Sequence, residues 1–183
     1  MIINIFGSSG SGTTTLANAI ANKYNFYHLD VDEIMWKDTD PPFSERRNNI
    51  EIKAFMSKLL TKYKNVVISG SIIGIYDDLK PKIDLFIYIN LDLKTRIRRI
   101  NQRELKRFGE RILPGGDLYE KHQDFIKWVS EYEHNPEYLR SRRQHLSWLK
   151  DVDRPVLKIT EELSIDELLR IVKSYISRWD NGF

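Results

Sequence analysis

The sequence predicts a three-layer α/β fold, a five-stranded parallel sheet with helices on both faces, on three observations. Five short apolar runs alternate along the chain with longer stretches of helical periodicity. Val66-Val67-Ile68 is continuously apolar, as expected of a parallel strand covered on both sides. The first run, Ile2-Ile3-Asn4-Ile5-Phe6, leads into a glycine-rich loop and then straight into a helical pattern.

That loop, Gly7-Ser8-Ser9-Gly10-Ser11-Gly12-Thr13-Thr14-Thr15, sits where a phosphate-binding loop belongs, between a strand and a helix. Glycines let the backbone approach a ligand closely, and the N–H groups of the loop and the helix start would face a polyphosphate. Gly7 and Gly12 have the spacing of the pattern G-x-x-x-x-G-K-[ST], and Thr14 fills the hydroxyl position that holds Mg²⁺. Thr13 stands where the pattern has lysine. The backbone cradle survives this change, but the point charge on the outer phosphates is lost, and charge stabilisation is central to phosphoryl transfer. Either another cation supplies it, or the loop binds without catalysing.

The first helix is expected from Thr13 to about Lys23, burying Leu16, Ile20 and Tyr24. Phe26-Tyr27-His28-Leu29 predicts the second strand, followed by Asp30-Val31-Asp32-Glu33. Ligands of open α/β sheets lie beyond the carboxyl ends of strands, so these carboxylates are well placed. Asp30 is a candidate for Mg²⁺ and Asp32 for binding or deprotonating an acceptor hydroxyl; the alternative is that they cap the next helix. Trp36, beside the acidic loop, is expected in the core, with lining an acceptor pocket as the alternative. After Pro41-Pro42, a helical stretch is expected from Ser44 through Leu60, with Arg46 and Arg47 either reaching an anionic substrate or forming a solvated helix start.

The third strand, ending in Ser69-Gly70-Ser71, carries no carboxylate for a metal. The fourth runs from Asp84 to Leu91 and precedes a basic helix. Arg96, Arg99, Arg103, Arg107 and Arg111 recur every three or four residues and are expected on one face, with Leu93, Ile97 and Ile100 docking the helix. Arg99, Arg103, Arg107 and Arg111 are the candidates to replace the missing lysine. The glycines and proline of 109–116 suit a flap, so a lid is expected over about 103–122. A helix is expected from Asp124, broken at Pro136 and resuming over 137–150. Arg140, Arg142 and Arg143 form a second basic cluster there, and packing in the core explains Trp128, Tyr132, Tyr138 and Trp148 more cheaply than a stacking surface for nucleic acid. Pro155 to Thr160 gives the fifth strand. Ser164 with Glu167 opens the last helix as a capping box, and Asp180 to Phe183 are expected to fray.

With 183 residues the chain fits one domain. It has no cysteine, which excludes disulfides and thiolate-bound metal, and its four histidines lack metal-ligand spacing. His28 reads as a hydrogen-bonded core residue. A net charge of +3 is too mild to signal nucleic acid. No run is long enough to span a membrane, and a cytoplasmic location is expected.

Taken together, the loop, the acidic pair after the second strand and the arginine-rich segment resemble the nucleoside and nucleotide kinase group of P-loop proteins. The sequence is most similar to the small bacterial adenylate-kinase-related ATPases called topology modulation proteins. The likeness rests on Gly7 to Thr14, on His28-Leu29-Asp30 with Trp36, on Val67 to Ser71, on the arginine run from Arg96, and on Asp124 to Trp128 before Arg154-Pro155. That group usually has lysine at position 13 and often an acidic residue at 69. Some archaeal cytidylate kinases resemble this loop in carrying Gly-Thr-Thr-Thr. The Asp30-x-Asp32 pair resembles shikimate-kinase-type enzymes, whose first Asp lies near Mg²⁺ and whose second holds the acceptor. The resemblance implies a nucleotide-kinase-like P-loop NTPase fold with an arginine-rich lid. It also implies an ATP- and Mg²⁺-dependent phosphotransferase acting on a small hydroxylated acceptor such as a nucleoside or nucleotide. A nucleotide-binding regulator without turnover is the alternative, and a nucleic-acid-binding ATPase ranks below both.

Overall fold

Each expected apolar run becomes a strand in the structure, a computed structural model that describes residues 1–180. Residues 181–183, expected to fray with Asp180, lie outside the described part. The strands are β1 (Ile2–Gly7), β2 (Tyr27–Asp30), β3 (Val66–Ser69), β4 (Leu85–Ile89) and β5 (Val156–Ile159). They form one sheet in the order β2-β3-β1-β4-β5, every pair parallel. The helices are α1 (Thr13–Tyr24), α2 (Val31–Met35), α3 (Asn49–Lys62), α4 (Leu93–Phe108), α5 (Tyr119–Ser130), α6 (Arg142–Trp148) and α7 (Ile165–Asp180).

Strand alternation divides the interior into two cores, one on each face. Ile3, Ile5, Ile87 and Ile89 pack against Leu16 and Ile20 of α1 and Leu168 and Val172 of α7. Phe6, Leu29, Ile68, Phe86 and Tyr88 face the opposite way, toward Ile52 and Met56 of α3, with Trp148 of α6 packed alongside. The capping box at α7 forms: the Ser164 N–H donates to Glu167 Oε2 at 2.8 Å, and the Glu167 N–H donates to Ser164 Oγ at 3.3 Å.

Three helices differ from expectation at their boundaries. α3 begins at Asn49 rather than Ser44, because Asn48 and Glu51 make their own capping box. Arg46 instead pairs with Trp36 in an antiparallel bridge. α5 begins at Tyr119, five residues before Asp124. The expected helix over 137–150 shrinks to α6, which Ser141 caps by accepting from the Gln144 N–H. The aromatics of this region split. Tyr132 is buried and Trp148 packs edge-on against Phe6 and Phe86, whereas Trp128 and Tyr138 are 39% and 82% exposed. Among the described residues no helix is long and apolar enough to cross a membrane.

Candidate active site

β1 delivers the glycine loop to the carboxyl edge of the sheet, and packing on β4 fixes its path. The Ser8 N–H donates to the Ile89 carbonyl at 3.2 Å. Gly7 lies so close to the same carbonyl that a Cβ there would sit 1.8 Å from its oxygen. Ser11 closes the loop by donating from Oγ to the Ser8 carbonyl at 2.6 Å. No side chain caps the start of α1, which leaves its first-turn N–H groups available to an anion.

Beside the loop stands the acidic pair. Thr14 Oγ1 donates to Asp30 Oδ2 at 3.2 Å, and the Asp32 N–H donates to Asp30 Oδ1 at 2.9 Å. One Asp30 oxygen thus caps α2, the alternative considered for it, and the other faces the Thr14 hydroxyl. Asp32 points outward, and its carboxyl is shifted above the usual range. Loss of hydration dominates that shift; Arg140 opposes it, Asp30 adds to it, and Arg103 opposes it. Asp32 is solvent-reachable by surface area, yet neighbouring atoms surround it closely enough to strip hydration.

Two polar residues brace this corner. His28 bridges Asn18 of α1 and Ser69 of β3 through its two ring nitrogens, each at 2.9 Å. Burial lowers its pKa, against the pull of Asp30 and Glu33. Asn4, fully buried in β1, donates to the carbonyls of Ile68 and Gly70 at 3.3 and 3.0 Å.

α4 crosses the mouth of the loop like a bar. Its backbone passes over Gly10, where a Cβ would lie 2.7 Å from the Arg96 carbonyl oxygen. One turn on, Arg99 Nη1 donates to the Ser11 carbonyl at 3.3 Å while Nη2 binds Glu162 Oε1 at 2.7 Å. Arg103 follows, held to the buried Glu104 at 2.9 Å and acting electrostatically on Asp32. Arg107 lies over the ring of Phe43, 5.0 Å from its centroid. The glycine loop, Asp32 and Phe43 are thus met in turn by Arg99, Arg103 and Arg107, residues four apart on one helix face.

The expected stripe of five arginines is corrected at both ends. Arg96 faces inward: it is fully buried, donates to the carbonyls of Leu91 and Val129, and lies over Tyr132. Arg111 has left the helix, since α4 ends at Phe108, and its guanidinium binds Asp117 and Asp40. Arg47, one of two residues considered for an anionic substrate, is spent on the carbonyls of Ile34 and Trp36. Trp36 is half-buried, edge-on to Phe43, rather than deep in the core. Of two further contributors, Glu162 had no signal in the sequence pattern and Arg140 stood out only as part of a second basic cluster. Glu162, just beyond β5, holds Arg99, and Arg140, between α5 and α6, stacks on Trp128 and projects its charge onto Asp32.

A glycine loop at the central strand, the order β2-β3-β1-β4-β5 and a basic helix over the loop define a nucleotide-kinase-like P-loop fold. The solved shikimate kinase from Acinetobacter baumannii, in complex with shikimate, shares it: 97% of this chain and 93% of that one superpose with a TM-score of 0.52 at 14% identity. No family model matches the chain. The chain belongs to the family of YqaC of Bacillus subtilis, an uncharacterized protein to which it is 35% identical over 175 residues, 96% of this chain and 97% of that one. It is also 32% identical to a cytidylate kinase of Methanocaldococcus jannaschii over 117 residues, which span 57% of this chain and 65% of that enzyme.

Proposed function

We propose that this protein is an ATP- and Mg²⁺-dependent phosphotransferase that acts in the cytoplasm on a small hydroxylated acceptor, a nucleoside or nucleotide. The observation that carries this reading is the path of α4, which sets Arg99 at the loop lacking lysine and Arg103 within electrostatic range of Asp32. Gly7 to Thr15 cradle the phosphates, and Arg99 and Arg103 offset their charge in place of a lysine. Thr14 and Asp30 offer adjacent hard oxygen donors, the donor set Mg²⁺ accepts alongside phosphate oxygens. The metal, when bound, neutralises phosphate charge. Asp32 orients the acceptor hydroxyl and takes its proton, a task favoured by a carboxylate of raised pKa. The likeness to a cytidylate kinase supports the nucleotide class, and the resemblance to topology modulation proteins adds no chemistry of its own.

A second reading, a nucleotide-binding regulator, draws on one observation: Arg99 already has a carboxylate partner in Glu162. The test is ADP formation from Mg-ATP across nucleosides, nucleoside monophosphates and small polyols. Acceptor-dependent ADP is expected, and Asp32→Asn is expected to lower it about a hundredfold or more while calorimetry shows ATP binding unchanged. The wild-type rate should fall as pH drops through the raised Asp32 pKa, at higher pH than for an ordinary Asp, and the variant should lack that limb. A flat panel on protein that binds ATP selects the regulator.

A further inference from the structure

We propose that His28 is a positioning residue for the metal subsite: by tying α1 to β2 and β3, it holds Thr14 and Asp30 face to face as a ready-made pair of oxygens. This role rests on the reading that gives Mg²⁺ to those two oxygens.

Two polar rungs join α1 to β2. Thr14 Oγ1 meets Asp30 Oδ2 at 3.2 Å, and Asn18 Oδ1 meets His28 Nδ1 at 2.9 Å. The rungs share one spacing. From Thr14 to Asn18 the helix rises about 6 Å, and from His28 to Asp30 the strand rises about 6.6 Å. The later helix residue meets the earlier strand residue, so helix and strand run in opposite directions and each rung sets the register of the other.

Neither packing nor capping supplies this restraint. Leu16, Ala17 and Ile20 bury a different face of α1, whereas Thr14 and Asn18 share an exposed one. Burial is non-directional; hydrogen bonds fix both distance and angle. No side chain caps the first turn of α1, where Thr14 lies.

The far side of the ring is anchored as well. His28 Nε2 lies 2.9 Å from the hydroxyl of Ser69, which is fully buried at the end of β3 and in register with Asp30. A neutral ring serves both partners: Nδ1–H donates to Asn18 Oδ1, and Nε2 accepts from the Ser69 hydroxyl. The edge Ser69-Gly70-Ser71 holds no carboxylate, so β3 contributes an anchor to the subsite rather than a ligand.

Electron paramagnetic resonance of Mn²⁺, bound with ADP to the full chain, tests this. Asn18 is exposed and helical, so Asn18→Ala keeps the fold and cuts one rung. Asn18→Ala and His28→Leu should each weaken Mn²⁺ binding about tenfold, and the double variant no further, because both cut the same link. His28→Gln, whose amide offers a donor and an acceptor, should recover most of the affinity. ADP affinity in EDTA should match the wild type throughout, which a merely structural role would not give. Wild-type Mn²⁺ affinity in Asn18→Ala and His28→Leu, or an equal loss of ADP affinity in EDTA, overturns the positioning role. Asp30→Asn separates this role from the reading beneath it. If Asp30→Asn binds Mn²⁺ as the wild type does, the metal assignment fails and the role of His28 with it. If Asp30→Asn loses Mn²⁺ while the Asn18 and His28 variants hold it, only the role of His28 fails.

Discussion

On the proposed function, Arg99 answers for the missing lysine. Thr13 leaves the loop without its usual cation, and Arg99 reaches the Ser11 carbonyl from α4. Its bond to Glu162 is an exposed, salt-screened ion pair, which on the proposed function a polyphosphate would displace. Arg99→Gln should therefore lower kcat/KM for ATP by about 10²- to 10³-fold, whereas Glu162→Gln should change it little. Thr13→Lys in the Arg99→Gln background should restore part of the loss, because it returns a charge to the same phosphates. Steady-state kinetics of the three variants check this, and full activity in Arg99→Gln would assign the charge elsewhere. The gap at Thr13 and the arginines of α4 are both visible in the sequence. Which arginines turn outward is not: positions 96, 100 and 104 make the buried face of α4, and 99, 103 and 107 lie beside it.

At the level of elements, the P-loop depends on how closely β1 runs beside β4. Gly7→Ala would place a methyl against the Ile89 carbonyl, so either the strands part or the Ser8–Ile89 bond breaks. The expected cost is about 3 kcal/mol, the upper range for overpacking. Gly115→Ala, where a methyl meets nothing, should cost only the left-handed backbone strain of about 1 kcal/mol. Urea unfolding of the two variants separates the causes, and equal midpoints would remove the close approach as the reason for Gly7. The order strand, loop, helix was legible because spacing and periodicity are local. The short α6 was not. Its boundaries follow from Ser141, fully buried and bonded to the Pro136 carbonyl, a contact that exists only once the segment has folded back.

The whole molecule encloses a polar cluster in its second core. His145, fully buried, shares a 2.7 Å bond between Nδ1 and the Tyr132 hydroxyl, which in turn meets the Tyr88 hydroxyl at 3.0 Å. Burial, with help from the Arg140 charge, pushes the His145 pKa down to about 3. The folded state therefore keeps this histidine neutral, while the unfolded chain protonates it near its ordinary value of about 6.5. Its stability contribution is fully present above that value and is lost as pH falls toward 3. Between pH 7 and pH 5 the wild type should lose about 2 kcal/mol through this group, and His145→Gln should lack that slope. Denaturant unfolding at both pH values reads the difference; parallel slopes would mean that His145 titrates normally.

The sequence by itself determined the parallel sheet, the glycine loop, the acidic pair after β2 and the basic helix after β4. Each is written in local spacing, since backbone hydrogen bonding and burial periodicity act over a few residues. Only the tertiary structure decided which charges meet. Arg99 with Glu162, Arg111 with Asp40, and Arg140 with Asp32 join residues 63, 71 and 108 positions apart. Coulombic partners are chosen by proximity in the folded chain, and proximity across a sheet edge follows from strand order, which local spacing does not encode.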